Sequence, residues 1–170
     1  MNKTARWAGA AIVALAVGVG GYLAQDRIAG KPQAPNVGYT LLDGSRSSIE
    51  QLRGKVVLVN FWSTDCTTCM HEMPQIVATH QRFNARGYET LAVSMEYDPP
   101  AEVMRYAQER KLPFGVAIDL SGEIAQRFGD VKLTPTSVLI DKRGRIVKRY
   151  LGEPDFAALH RLVEELLAAS

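Results

Sequence analysis

The only two cysteines of this 170-residue chain, Cys66 and Cys69, stand three positions apart in NFWSTDCTTCMHEMP, residues 60–74. Such a pair can be a structural staple, half of a metal site or a working dithiol. As a staple it achieves little. Closing so short a loop contributes about 2 kcal/mol on a chain-entropy estimate, against about 4.7 for a 100-residue loop, and restrains nothing that a helix there would not already restrain. Structural zinc needs four ligands, usually from a second C-x-x-C or a histidine pair, and besides carboxylates the chain offers only His71, His80 and His160. No resident metal is therefore expected, although the two thiols with His71 leave a copper-carrying role open. The dithiol fits best. A cysteine at a helix N-terminus faces unpaired N–H groups and the positive end of the dipole, which favour the attacking thiolate. A second cysteine one turn on can resolve the mixed disulfide.

The flanking sequence supplies that position. KVVLVNFW, Lys55 to Trp62, is a nearly continuous run of β-branched and aromatic residues, as in a central strand buried on both faces. Ser63, Thr64 and Asp65 are N-cap types, and a helix is predicted from about Cys66 to Arg86 with apolar Met70, Met73, Ile76, Val77 and Phe83. Pro74 should bend this helix without ending it, and Gly87 should close it. Further strands are predicted at Tyr39 to Leu42, Glu89 to Met95 and Phe114 to Asp119, with helices at Ala101 to Lys111 and Glu123 to Phe128. Ser48 to Leu52 reads as one helical turn. SVLID and RIVKRYL form two strands joined at Asp141 to Gly144 by a hairpin-like turn, and Phe156, Leu159, Leu162, Val163, Leu166 and Leu167 give a final helix its apolar face. Strands alternating with helices and closing on a hairpin and helix make an α/β sandwich with a mixed sheet.

A composition 46% hydrophobic and 22% charged is rich enough to close one core. With a net charge of +2 and no basic run interleaved with aromatics, the electrostatic footprint of a nucleic-acid binder is missing. Residues 1–30 read differently. Lys3 and Arg6 precede WAGAAIVALAVGVGGYLA, eighteen uncharged residues from Trp7 to Ala24, which as a helix would reach about 27 Å, the lower edge of a bilayer span. Tyr22 spoils an A-x-A cleavage pattern and Val19-Gly20-Gly21 is a weak substitute, so an uncleaved signal anchor is expected over a cleaved export signal. The basic start places the rest of the chain outside: a single-pass protein of a bacterial inner membrane with its domain in the periplasm. GKPQAP, Gly30 to Pro35, suggests a short stiff linker over residues 31–36, leaving residues 37–170 for the domain.

Together GKVVLVNFW, CTTC, EMP ending at Pro74, LTPTSVLID and GRIVKRYLG make residues 35–168 resemble the thioredoxin superfamily. Within it they resemble the membrane-anchored TlpA/ResA-like and CcmG-like thiol:disulfide oxidoreductases. The stretch Ala101 to Asp119 resembles the helix-and-strand insertion that sets this branch apart. The resemblance implies a thioredoxin-like α/β fold with a mixed central sheet flanked by helices. It implies Cys66 as the attacking thiol, Cys69 as the resolving thiol, and Glu72 of the C-x-x-C-x-x-E pattern as the group that trades a proton with Cys69. Asn60 stands where thioredoxin proper has a buried Asp, and Asn cannot titrate, which throws that task onto another residue. Thr134-Pro135 matches the cis-proline pair beside the dithiol, and with Trp62 it is expected to form the substrate-binding surface. Two features depart from the pattern. Asp65 replaces a usual Trp and should oppose thiolate formation at Cys66, and the Thr67-Thr68 pair between the cysteines is uncommon.

By the same resemblance the protein reduces disulfides in client proteins, such as apocytochrome c or the copper-site thiols of a respiratory oxidase subunit. Electrons would come from a DsbD-type membrane reductase, with no bound cofactor. No segment reads as a dimerisation element, so a monomer is expected. Oxidation of client thiols is the rival direction, because potentials in this fold run from about −270 to about −120 mV. The P-x-x-x-T-x-x-C pattern of thiol peroxidases is absent, with Val59 and Ser63 at its Pro and Thr positions.

Overall fold

The computed structural model describes residues 30–169, and the expected anchor over residues 1–30 lies, but for Gly30, outside them. Among the described residues no helix is long and apolar enough to cross a membrane. The folded unit begins at Pro32. Its strands are β1 (Gly38–Thr40), β2 (Arg46–Ser48), β3 (Val56–Trp62), β4 (Tyr88–Ser94), β5 (Gly115–Ile118), β6 (Thr136–Ile140) and β7 (Ile146–Leu151). Its helices are α1 (Thr67–Phe83), α2 (Pro100–Glu109), α3 (Glu123–Arg127) and α4 (Phe156–Ala168). This is the thioredoxin-like fold that the motifs imply, with α2 and β5 as the insertion.

The main sheet has the order β5-β4-β3-β6-β7, and β3 runs at its centre. It is parallel to β4 and antiparallel to β6, so the sheet is mixed. Every residue of β3 is buried, which explains its unbroken apolar run. Alternation divides it between two cores. Val57, Val59 and Phe61 pack with Ile124, Ala125 and Phe128 of the α3 side, whereas Val56, Leu58 and Trp62 pack under α1, α2 and α4. Asn60 therefore shares the face of Leu58 and Trp62 and points at α1. On β6 the same alternation puts Ser137 on the face of Leu139, and the register sets Ser137 directly beside Asn60.

Helix α1 runs through Pro74 and ends in a 3-10 turn, Asn84–Arg86, closed by Gly87 at a φ of +94°, a left-handed conformation that favours glycine. Two local expectations change. The segment expected as a linker is hydrogen-bonded from Pro32 onward: Ala34 N–H donates to Gly144 O and Ile146 N–H to Pro32 O, both at 2.8 Å, which docks residues 32–34 against the β6–β7 turn. The N-cap of α1 is Cys66 itself, and none of the three residues before it. Thr64 is engaged elsewhere, since both its N–H and its hydroxyl donate to the carboxylate of Asp98, 34 residues away and 2% exposed.

Candidate active site

The site lies where β3 runs out into α1. Cys66 and Cys69 are joined by a disulfide with an S–S distance of 2.15 Å. As N-cap, Cys66 Sγ accepts the Cys69 N–H at 3.1 Å, one of the helix's otherwise unpaired donors. That N–H and the dipole behind it stabilise negative charge on this sulfur once the bridge is reduced. Cys66 is partly exposed, whereas Cys69 is fully buried. A substrate can therefore reach only the first sulfur, and the second is held one turn behind it. Access and electrostatics both favour Cys66 over Cys69 for attack.

Beneath the pair lies Glu72, one turn beyond Cys69 and 0% exposed. It lies on the buried face of α1 and not on the helix surface. Asn60 Nδ2 donates to Glu72 Oε1 at 2.8 Å and to Ser137 Oγ at 3.0 Å. Glu72 Oε2 and Asn60 Oδ1 are buried without a partner among the described residues. Burial pushes the Glu72 carboxyl up to about 7; the Asn60 hydrogen bond opposes the rise and the charge of Glu153 adds to it. A carboxyl titrating near neutrality can take a proton and return it at physiological pH, the property required of a general acid and base. Glu153, on the loop after β7, also meets His71, with Oε2 3.0 Å from Nδ1. The histidine considered for copper is thus hydrogen-bonded to a carboxylate at the protein surface.

The β6 side completes the site. The Thr134-Pro135 peptide bond is cis, as the resemblance implies. Register sets Thr136 beside Phe61, which brings the proline corner to the same end of the sheet as Cys66. Gly152 N–H donates to Pro135 O at 2.8 Å and the Thr136 hydroxyl to Leu133 O at 2.6 Å, so the corner is tied to both neighbouring segments. Pro135 is buried, Thr134 is half-buried, and Leu133 and Leu151 stand 62% and 69% exposed beside them. Trp62 departs from its expected place on the substrate surface. It is 0% exposed, with its ring 5.3 Å from Tyr106 of α2, because the inserted helix covers it. It supports the site from below.

Sequence reasoning singles out Cys66, Cys69, Glu72, Thr134 and Pro135, and the structure brings them to one end of the sheet. It misses Asp98, Ser137 and Glu153. The run Asp98-Pro99-Pro100 reads as a chain break, and only the fold turns its carboxylate toward Thr64. Ser137 is one polar residue in an apolar strand, a signal that needs its cross-strand partner before it means anything.

Comparison with known proteins supports the same reading. Residues 28–163 match the family Redoxin. The thiol-disulfide oxidoreductase ResA of Bacillus thuringiensis subsp. konkukian is 33% identical over 134 residues, covering 79% of this chain and 76% of the relative. Among solved structures, a Neisseria meningitidis protein assigned to the thioredoxins is 38% identical with a TM-score of 0.76, covering 83% of this chain and 93% of its own. A thiol:disulfide interchange protein of the thioredoxin family from Chlorobium tepidum is 25% identical with a TM-score of 0.74, covering 82% and 98%.

Proposed function

This chain belongs to the Redoxin family, as a TlpA/ResA/CcmG-like thiol:disulfide oxidoreductase of the thioredoxin superfamily, and from that premise we propose that it is a reductant of client-protein disulfides. One observation carries the reading: an accessible Cys66 caps a helix while Cys69 is sealed behind it, above a buried carboxyl that titrates near neutrality. In the reduced protein the Cys66 thiolate attacks one sulfur of a client disulfide. The client S–S bond breaks, a Cys66–client bond forms, and the departing client thiolate takes a proton from solvent, which received one when Cys66 ionised. Glu72 then removes the proton of Cys69. The Cys69 thiolate attacks Cys66 Sγ, forming the intramolecular disulfide and releasing the second client sulfur, to which a proton is returned. Two electrons and two protons pass to the client, and the protein ends in the bridged state. Thr134 and the neighbouring exposed Leu133 and Leu151 receive the extended client segment.

The clients are extracytoplasmic proteins such as apocytochrome c or the copper-site thiols of an oxidase subunit, and a DsbD-type membrane reductase restores the dithiol. Residues 1–30 anchor the chain in the inner membrane with its domain in the periplasm. Tethering suits a reductant working where bulk thiols are kept oxidised. The deciding measurement is the equilibrium potential of the Cys66/Cys69 pair in defined thiol/disulfide buffers. A value near the thioredoxin end, about −270 mV, supports the reductant; one near about −120 mV makes the protein an oxidant of client thiols.

A further inference from the structure

Ser137 takes no part in the exchange steps above, yet it places a hydroxyl in the interior, 1% exposed, against the polar pair that does. Asn60 Nδ2 lies 2.8 Å from Glu72 Oε1 and 3.0 Å from Ser137 Oγ, so its two hydrogens are both committed, one to each oxygen. The remaining oxygens, Asn60 Oδ1 and Glu72 Oε2, are buried without a partner among the described residues. Orphaned buried acceptors are uncommon and destabilising, and they concentrate where a group must change state.

The three side chains match either protonation state of Glu72. With the carboxyl ionised, Asn60 Nδ2 donates one hydrogen to Glu72 Oε1 and the other to Ser137 Oγ. With a proton on Oε2, the oxygen without a partner among the described residues, Oε1 is a carbonyl oxygen and still accepts, so the amide keeps its orientation. Turning the amide over would instead bury both its N–H groups where Oδ1 now lies without a partner. The Ser137 hydroxyl accepts the second amide hydrogen in both states; an alanine accepts it in neither.

We propose that Ser137 is a positioning residue of the thiol–disulfide exchange, which holds the Asn60 amide in register with Glu72 both when that carboxyl carries its proton and when it has given it up. The inference rests on the reading of Glu72 as the acid and base of the exchange. Losing the hydroxyl is felt unequally in the two states. Without the hydroxyl the second amide N–H is stranded and the amide is no longer held toward Glu72 Oε1, and the hydrogen bond so weakened is worth more to a carboxylate than to a neutral carboxyl. Ser137→Ala therefore disfavours the ionised carboxyl. Glu153, paired with His71, also acts on Glu72 by charge and is left in place in every variant.

The test follows the Glu72 carboxyl by carbon-13 NMR through a pH titration of the oxidised protein, beside the pH profile of insulin reduction. Ser137→Ala should raise the Glu72 midpoint by about half a unit to one unit and move the reduction profile with it. Ser137→Thr should restore both, and in an Asn60→Ala background Ser137→Ala should add nothing. An unmoved midpoint in Ser137→Ala overturns the inference, as does an equal shift in the Asn60→Ala background. A midpoint that moves while the reduction profile stays fixed removes Glu72 from the exchange, and Ser137 with it. A profile that follows the midpoint while the potential lies at the oxidising end overturns the proposed direction alone.

Discussion

The two ends of β6 hold buried carboxyl groups in opposite ways. Just past its C-terminal end, Asp141 is 6% exposed and accepts the N–H groups of Arg143 and Arg145, with Arg145 Nε and Nη2 at 2.8 Å. Burial alone would raise its pKa, but hydrogen bonds from the Arg145 backbone and side chain and the guanidinium charge hold the carboxyl below its usual range. At the other end, Ser137 and Asn60 present Glu72 with one amide hydrogen, and its second oxygen goes without a partner among the described residues. Burial prevails there, and the carboxyl rises to about 7. Burial therefore does not decide the charge state of an interior acid; the supply of donors does. An acid richly supplied with donors stays ionised and pins a turn, whereas an undersupplied one is left able to exchange its proton.

Breaking the undersupplied end should have the largest effect. Glu72→Gln is expected to slow insulin reduction by about 10²-fold, the ordinary contribution of a general acid–base group. It should also change the pH dependence of stability, with a definite sign. Folding raises this carboxyl from 4.5 to about 7, so the unfolded chain ionises first and stability falls as pH climbs between those values. A carboxyl held at about 7 in place of 4.5, at about 1.36 kcal/mol per pH unit, costs at most about 3.4 kcal/mol. Urea melts should find Glu72→Gln the more stable protein at pH 8 by up to that amount, with the gap closing toward pH 4. A stability gap between Glu72→Gln and the parent that does not widen from pH 4 to pH 8 contradicts the pairing of burial and donor shortage.

The oversupplied end should respond in the reverse sense. Asp141→Asn is expected to cost about 1–2 kcal/mol at pH 7, the partial exposure of Arg145 limiting the loss, while leaving insulin reduction unchanged. Because folding lowers this pKa from 3.8, its contribution is present above that value and fades as pH falls through the folded one. Melts at acidic pH should bring the variant and the parent together. A reduced rate of insulin reduction in Asp141→Asn would break the separation between the two ends.

The smallest expected effect sharpens the comparison at the dithiol, where Asp65 is exposed next to Cys66. Its charge acts on the thiolate through solvent, so Asp65→Asn should lower the Cys66 pKa by only a few tenths of a unit. Thiolate absorbance titration of the reduced protein reads this directly, and an unchanged value removes Asp65 from the electrostatics of the site.

What the amino-acid sequence determined by itself was whatever local order can encode. VVLVNFW read as a strand buried on both faces, the C-x-x-C as the opening of the next helix and Gly87 as its end, because apolar periodicity, spacing and backbone freedom act within a few residues. The cysteine pair and the proline corner were also legible, through motifs recognisable as a set. Tertiary structure decided what depends on facing elements. Thr64 was a reasonable N-cap until Asp98, on another loop, took both its donors and left Cys66 to cap the helix. Trp62 was placed at the surface until α2 covered it, and residues 32–34 were a linker until the hairpin turn offered them partners. Glu72 carries the same side chain whether it lies on a helix surface or beneath a sheet. Only packing against Asn60 and Ser137 removed its water and rationed its donors, and those two conditions, set by strands far away in the chain, give it a proton to exchange near neutral pH.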